Sequence, residues 1–439
     1  MYYHTTFILA GSLLISKAAT AQTKDTFRIT LQEAWQKAEA HSRLIQITGK
    51  AAEIAGEEVR DAQLERLPEV GMTGSAEKAT NMSIYENGIF SGATQQHEII
   101  HNLYKVGADF YLNLYNGSKQ NLKIRENRLL QQIAEIKKEE ATSGIRYKTA
   151  ALYLDLQKSL VFRDLIIKDI ADQEKQLKEI RSFHKNGTVL RSDVLRVELE
   201  LSRRKMALVT IDNDILIASQ KLNIIMGEPD DQVILPTAFE PAAQPHEDYN
   251  NYLAVALEHS FSYHISERQT ELSKTNLQQV KASIMPKVGL YGDYWYSNPQ
   301  IFLFPYNPAW YSLGVTGIKV TLPVSELYHN THKVSAARIE LEKEEEAHRD
   351  TEDKVRQQVK EAYLRYKESL VQIGVAEDNV AQAEENARII KNTYFNQASL
   401  ITDLLDADVQ LLQTRFELAA ARIIAQDKFY LLQNITGVL

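Results

Sequence analysis

Few side chains in this 439-residue sequence have both the type and the spacing to do chemistry. His97 and His101 lie four apart and His329 and His332 three apart, so either pair could meet a metal ion from one helical face. They fall in loops or at a helix start without acidic partners, and read as solvated histidines. Glu344-Glu345-Glu346 reads as an exposed helix face, not a cation site. There is no phosphate-binding glycine loop, nucleophile elbow or HExxH. Cysteine is absent, which removes a disulfide framework, a thiolate metal site and a lipid-modified cysteine. The residues point to no enzyme, no cofactor and no bound metal. Formal charge is −8 with acids and bases mixed, so no basic arm is available for nucleic acid. What remains is a set of aspartates in two similar contexts, Ser192-Asp193-Val194-Leu195 and Thr402-Asp403-Leu404-Leu405. Asp406 follows Asp403 by three, which puts both carboxylates on one side of a helix.

The elements that must position these aspartates are unusually long. Only 10 prolines and 18 glycines punctuate the chain. The prolines fall at Pro68, from Pro229 to Pro245, or from Pro286 to Pro323, leaving 69–228 and 324–439 free for uninterrupted helix. The chain also matches itself at an offset near 210 residues. Leu67-Pro68-Glu69-Val70-Gly71-Met72 answers Met285-Pro286-Lys287-Val288-Gly289-Leu290, Tyr104-x-Val106-Gly107 answers Tyr311-x-Leu313-Gly314, and Gly227 answers Gly437. Each half reads as helix, two strands, very long helix, helix. The pattern predicts helices near 31–66, 118–184 and 188–226 with strands near 68–79 and 103–115. In the second half it predicts helices near 250–284, 331–396 and 400–436 with strands near 286–297 and 310–322. The repeats span 22–227 and 250–439, joined by a proline-rich linker at 228–249 with a short strand candidate at Gln232-Val-Ile-Leu235.

The last long helix carries a sustained alternation of four and three: Val355, Val359, Ala362, Tyr366, Ser369, Ile373, Ala376, Val380, Ala383, Ala387, Ile390 and Tyr394. This is a heptad seam whose small residues allow close helix approach. The first long helix shows the seam in patches, at Leu122, Leu129, Ile133 and Ile136, then at Ile166, Ile170, Leu177 and Ile180. A helix of about 66 residues extends roughly 100 Å, and the two shorter helices of each half sum to a similar length, so they can run antiparallel to it.

The N-terminus, with an apolar run from Phe7 to Ser16 and Ala19-Thr20-Ala21 before Gln22, reads as a signal peptide over 1–21. No later window offers ~20 apolar residues, so any bilayer-crossing part of the mature chain must be β-structure. Val106, Ala108, Phe110, Leu112 and Leu114 alternate with Gly107, Asp109, Tyr111, Asn113 and Tyr115, giving one apolar face. The fourth strand shifts phase near Gly317, which predicts a β-bulge there. Aromatics gather between Tyr291 and Tyr311, including Phe302, Phe304 and Trp310, as in the interfacial girdle of a membrane barrel. Two readings of the strands stay open. The sheet is either soluble and covered on one side by helices, or one part of a barrel to which several chains contribute, since four strands alone cannot close.

Over nearly its whole mature length the chain resembles the TolC-like outer-membrane efflux protein family. The resemblance is carried by Leu31-x-x-Ala34, by the Leu-Pro-x-Val entry into the first strand with its Met-Pro-x-Val counterpart in the second half, by the two long hairpins and, most specifically, by the tip sequences Gly187-Thr-Val-Leu-Arg-Ser-Asp193-Val-Leu and Ser399-Leu-Ile-Thr-Asp403-Leu-Leu-Asp406-Ala407. It implies a mainly α, α+β fold: a homotrimer whose outer-membrane β-barrel, four strands per protomer, continues into a long periplasmic coiled-coil barrel with a small mixed equatorial region. It also implies outer-membrane lipid around the barrel, and an inner-membrane pump and a periplasmic adaptor as partners. The family's periplasmic mouth is narrowed by aspartates just after the tip turn, and the matching residues are Asp403 and Asp406, with Asp193 on the other hairpin. Threefold symmetry would gather about six carboxylates of Asp403 and Asp406 into one ring, able to hold cations and repel anions. The tips themselves comprise Asn186, Gly187 and Arg191, and Asn396, Gln397 and Ser399. Gln397 stands where the first tip has Gly187, leaving Asn396 as a candidate for the left-handed turn residue. Ser399 replaces a basic residue that closes the mouth in some relatives, a role Arg191 could take over. A periplasmic coiled-coil adaptor and a structural scaffold share the coiled coil, and fractionation separates them from a channel. An adaptor normally has a single hairpin, and a scaffold needs no aromatic strands.

Overall fold

The computed structural model describes residues 27–237, 248–301 and 305–439. The signal segment 1–21, the middle of the linker, and Phe302 and Phe304 lie outside the described residues. In chain order the elements begin with β1 (Phe27–Ile29), α1 (Leu31–His41), α2 (Arg43–Leu64), β2 (Glu69–Lys78), β3 (Met82–Ile84), β4 (Gln95–His97), β5 (Asn102–Tyr115), α3 (Lys119–Lys185), α4 (Arg191–Met226) and β6 (Ile234–Pro236). They continue with α5 (Tyr249–His259), α6 (Phe261–Lys281), a single 3-10 turn (Ala282–Ile284), β7 (Lys287–Asn298), β8 (Tyr311–Thr321), α7 (Glu326–Phe395) and α8 (Ile401–Thr436).

The long helices and four long strands fall where the hydrophobic pattern puts them, with some local differences. The helices expected at 31–66 and 250–284 are each broken once. Ser42 takes an extended backbone and accepts the Ile45 N–H through its hydroxyl, starting α2 afresh, and Ser260 takes the same conformation before α6. α7 begins at Glu326, earlier than 331, because Pro323 lies just ahead of the first turn and removes no helical donor. The three short strands β1, β3 and β4 carry too few residues for a periodic signal.

The chain forms two compact units. One comprises the described residues of 1–41, 149–240 and 378–423. In it, Thr30 and Glu33 form a reciprocal capping box, Thr30 N to Glu33 Oε2 at 2.8 Å and Glu33 N to Thr30 Oγ1 at 3.2 Å, which launches α1 directly from β1. β1 pairs in parallel with β6, Phe27 opposite Ile234. Ile29, Ala34, Tyr153, Leu156, Leu222, Met226 and Ile234 close the core around them. The Tyr153 hydroxyl donates to Ile29 O and accepts from Thr237 N, so the edge of this small sheet is satisfied from α3. α4 ends at Gly227 with φ +75°, and a Cβ there would lie 2.5 Å from the His41 ring. Both the left-handed backbone and the close approach require glycine.

The second unit comprises the described residues of 42–148, 241–377 and 424–439. Its helical core is Tyr366, Leu432, Val355, Val359, Ala362 and Ala256. Its sheet runs β2-β5-β7-β8, antiparallel throughout, with β2 and β8 as open edges. The register sets the faces. Val70 and Met72, Val106 and Ala108, Tyr294 and Tyr296, and Ile318 and Val320 share one side. Among the described residues that side is exposed: Met72 is 82 % exposed, Val70 74 % and Ile318 66 %. The opposite side carries Glu69, Thr73, Ser75, Lys105, Asp109, Asp293 and Trp295, with the Lys105 ammonium 4.7 Å from the Trp295 ring centre.

The bulge expected near Gly317 is not there. Pairing of β7 with β8 is unbroken from Lys287–Thr321 to Ser297–Tyr311. The phase change in the fourth strand therefore puts Leu313 and Val315 on the polar side and Ile318 and Val320 on the apolar side. Gly317 lies opposite Tyr291, leaving space for its ring. The irregularity is instead in β5, between Asn113 and Tyr115, where β7 advances only from Gly289 to Val288. Tyr115 thereby joins the apolar side, against the simple alternation.

Candidate functional site

The two helical tips are built alike. α3 ends in a left-handed residue, Gly187 at φ +76°, with Thr188 N donating to Phe183 O at 3.0 Å and Gly187 N to His184 O at 3.0 Å. After α7, Ala398 N donates to Thr393 O at 2.8 Å and Gln397 N to Tyr394 O at 2.9 Å. These are the paired closing bonds of a helix C-terminus. The left-handed residue of the second tip is Gln397 itself, at φ +61°, not Asn396, whose N–H still bonds back to Asn392 O at 3.1 Å. The closing hydrogen bonds dictate which position turns, and Gln397 takes it at the steric cost a Cβ carries there. Asn186 likewise stays within the last turn, its N–H on Ser182 O at 3.1 Å.

Past each turn, an aspartate reaches back. Asp193 Oδ2 accepts the Leu190 N–H at 3.4 Å, and Asp403 Oδ2 accepts the Leu400 N–H at 3.1 Å. Each is the acidic half of a capping box and sits on the positive end of its helix. Asp403 and Asp406 are both exposed and share one side of α8, whose opposite side buries Ile401, Leu404 and Ala407. Asp193 is half-buried. Among the described residues no hydrogen bond or ion pair joins Asp193 to Asp403 or Asp406 within the protomer. Ser399 is half-buried and accepts the Thr393 hydroxyl at 3.2 Å. Arg191 is exposed, and among the described residues no ion pair within the protomer involves it.

What holds the tips together is apolar. Leu177, Ile180, Val194, Val197, Leu201, Tyr394, Ile401 and Leu404 form one cluster drawn from α3, α4, α7 and α8, and the Phe183 and Phe395 rings approach to 5.6 Å. Tyr394 belongs to the heptad pattern as a packing residue, yet among the described residues its buried hydroxyl has no hydrogen-bond partner. Burial, with the negative charge of Asp193 adding to it, pushes the Tyr394 phenol above its ordinary value.

Deeper along the same hairpins is a polar cluster not singled out from the sequence. Arg204 of α4, 3 % exposed, pairs with Asp169 of α3 at 2.7 Å, and Gln173 and Gln176 of α3 both reach Asp408 of α8. The available signal was a break in the seam. Ile166, Ile170, Leu177 and Ile180 leave a vacancy in the 4-3 alternation at position 173, and a glutamine fills it.

Elsewhere, His101 Nδ1 lies 2.9 Å from Ala79 O, His97 is in β4, and His329 and His332 are on the first turns of α7. Among the described residues no three His, Cys, Asp or Glu side chains gather as a metal group, and no helix is long and apolar enough to cross a membrane.

Residues 253–438 match the family model of outer membrane efflux proteins. A search by sequence among curated proteins finds no match. Several solved structures share the fold over nearly all of the chain. The outer membrane protein VceC of Vibrio cholerae is 17 % identical with a TM-score of 0.75, covering 93 % of this chain and 96 % of its own. CusC, whose structures concern folding and transmembrane channel formation, is 13 % identical with a TM-score of 0.79, covering 94 % and 93 %. The open MtrE outer membrane channel of Neisseria gonorrhoeae is 14 % identical with a TM-score of 0.74, covering 93 % and 89 %. A match to the outer membrane efflux proteins over residues 253–438 thus stands beside the fold of solved outer-membrane channels over nearly all of the chain.

Proposed function

We propose that three copies of this chain form a passive duct of a tripartite efflux or type I secretion system, each copy made of the two repeats 22–227 and 250–439. An inner-membrane pump and a periplasmic adaptor deliver substrates to it. The observation that carries this reading is the sheet. Among the described residues it presents an exposed apolar side and ends in two unpaired edges. A soluble scaffold or adaptor would pay a large hydrophobic cost for that surface, whereas lipid covers one side and neighbouring copies close the edges.

In the second helical tip, Asp403 and Asp406 have the exposure a mouth-lining pair needs. Capping engages only one oxygen of Asp403, which leaves its charge available to permeating ions. Asp193, half-buried beside Tyr394, acts more in closing the tip than in lining it. Single-channel recordings under a salt gradient, with a multivalent cation added on the periplasmic side, test the assignment. Asp403→Asn/Asp406→Asn should relieve the cation block and lower cation selectivity. An unchanged reversal potential together with unchanged block would leave the two aspartates as helix caps and nothing more.

A further inference from the structure

Two residues beyond Asp406, α8 carries another aspartate in very different surroundings. Asp408 is half-buried, and one of its oxygens, Oδ2, accepts hydrogen bonds from two side-chain amides of α3, Gln173 Nε2 at 2.9 Å and Gln176 Nε2 at 3.0 Å. Both glutamines are nearly inaccessible, 3 % and 4 % exposed, and their i, i+3 spacing aims both amides the same way. A buried amide that finds no partner is costly, and one that donates to a carboxylate makes a strengthened bond. The nearby cation is engaged elsewhere. Arg204 pairs with Asp169 at 2.7 Å, and its second terminal nitrogen is 3.8 Å from Glu200. Among the described residues no ion pair involves Asp408, so the amides of Gln173 and Gln176 supply its link to α3.

Apolar seams tolerate sliding and rotation, because methyl groups pack comparably well in several registers. A polar contact at a seam position selects one. We propose that Gln173 and Gln176 are positioning residues of the gate. By clamping Asp408 they fix the rotation and height of the first turns of α8 against α3, and so place Asp403 and Asp406. The inference rests on the reading of those two aspartates as lining the mouth.

Replacing both amides by near-isosteric apolar side chains, Gln173→Leu/Gln176→Leu, removes the clamp and keeps the volume. In the assembled trimer, amide hydrogen exchange over 401–408 should accelerate by about tenfold while α3 stays protected, and single-channel conductance should rise severalfold. Asp408→Asn, which keeps an acceptor oxygen, should stay near the parent in both readouts. Unchanged exchange in the double variant would overturn the clamp. Faster exchange with unchanged conductance would keep the clamp and remove Asp403 and Asp406 from the conduction path, sinking the gate reading instead. Should the double variant fail to assemble, Gln176→Leu alone removes one of the two bonds and is held to the same two measurements.

Discussion

Asp169 shows how a single carboxylate can be held against its ordinary chemistry. Burial lifts its pKa from 3.8 to about 6, with Asp408 and Asp172 adding to the rise and Arg204 opposing it. Desolvation outweighs the ion pair, as is common when two charges leave water together. The folded state therefore holds this proton more tightly than the unfolded chain does. Between pH 4 and pH 6 the folded state binds more protons, so stability declines as pH rises through that window and the penalty is complete above it. In detergent, thermal melts of the parent at pH 4.5 and 7.5, compared with those of Asp169→Asn, isolate this contribution. The parent should lose on the order of 1–3 kcal/mol more than the variant over that interval. Equal pH dependence in the two proteins would show that Asp169 titrates normally.

On the scale of the element, α7 is where pattern and structure agree most closely. Val355, Val359, Ala362, Tyr366, Ser369, Ala376, Ala383, Ala387 and Tyr394 are all buried, while Ile373, Val380 and Ile390 are half-buried and the residues between them are mostly exposed. Ala383 is 4 % exposed, whereas its neighbour Glu384 faces solvent and pairs with Arg415 at 2.8 Å. Ala383→Phe should overpack the seam and cost about 1–3 kcal/mol. Glu384→Lys removes an exposed ion pair and should cost well under about 1 kcal/mol. Melting temperatures that ranked the two the other way would refute the register. The β-strands were harder to read. A phase change in an apolar pattern can mean a bulge, or a strand that is apolar on both sides, and for β8 only the hydrogen-bond ladder separates them.

For the whole molecule, the decisive feature is incompleteness. The edges β2 and β8 and the apolar sheet side are all unsatisfied in one copy, so the membrane form should be an oligomer, and crosslinking in mild detergent should trap three chains. A stable monomer that conducts ions would refute the shared barrel. Among the described residues no helix is long and apolar enough to cross a membrane.

The sequence alone determined whatever repeats or is periodic. The α7 seam, the alternation along β5, the two tip motifs and the equivalence of Gly227 and Gly437 are each carried by residues close together in the chain or repeated at a fixed offset. Burial follows helical or strand period, and φ near +75° at both glycines is a local demand that glycine alone meets without strain. The tertiary structure decided what depends on residues distant in sequence. That Gln397 rather than Asn396 turns left-handed follows from hydrogen bonds closing a helix end, and the Asn113 bulge follows from the partner strand. The meeting of Gln173 and Gln176 with Asp408, more than 230 residues away, follows from how α8 lies against α3. No local propensity encodes that contact, because its energy exists only once the two helices have packed.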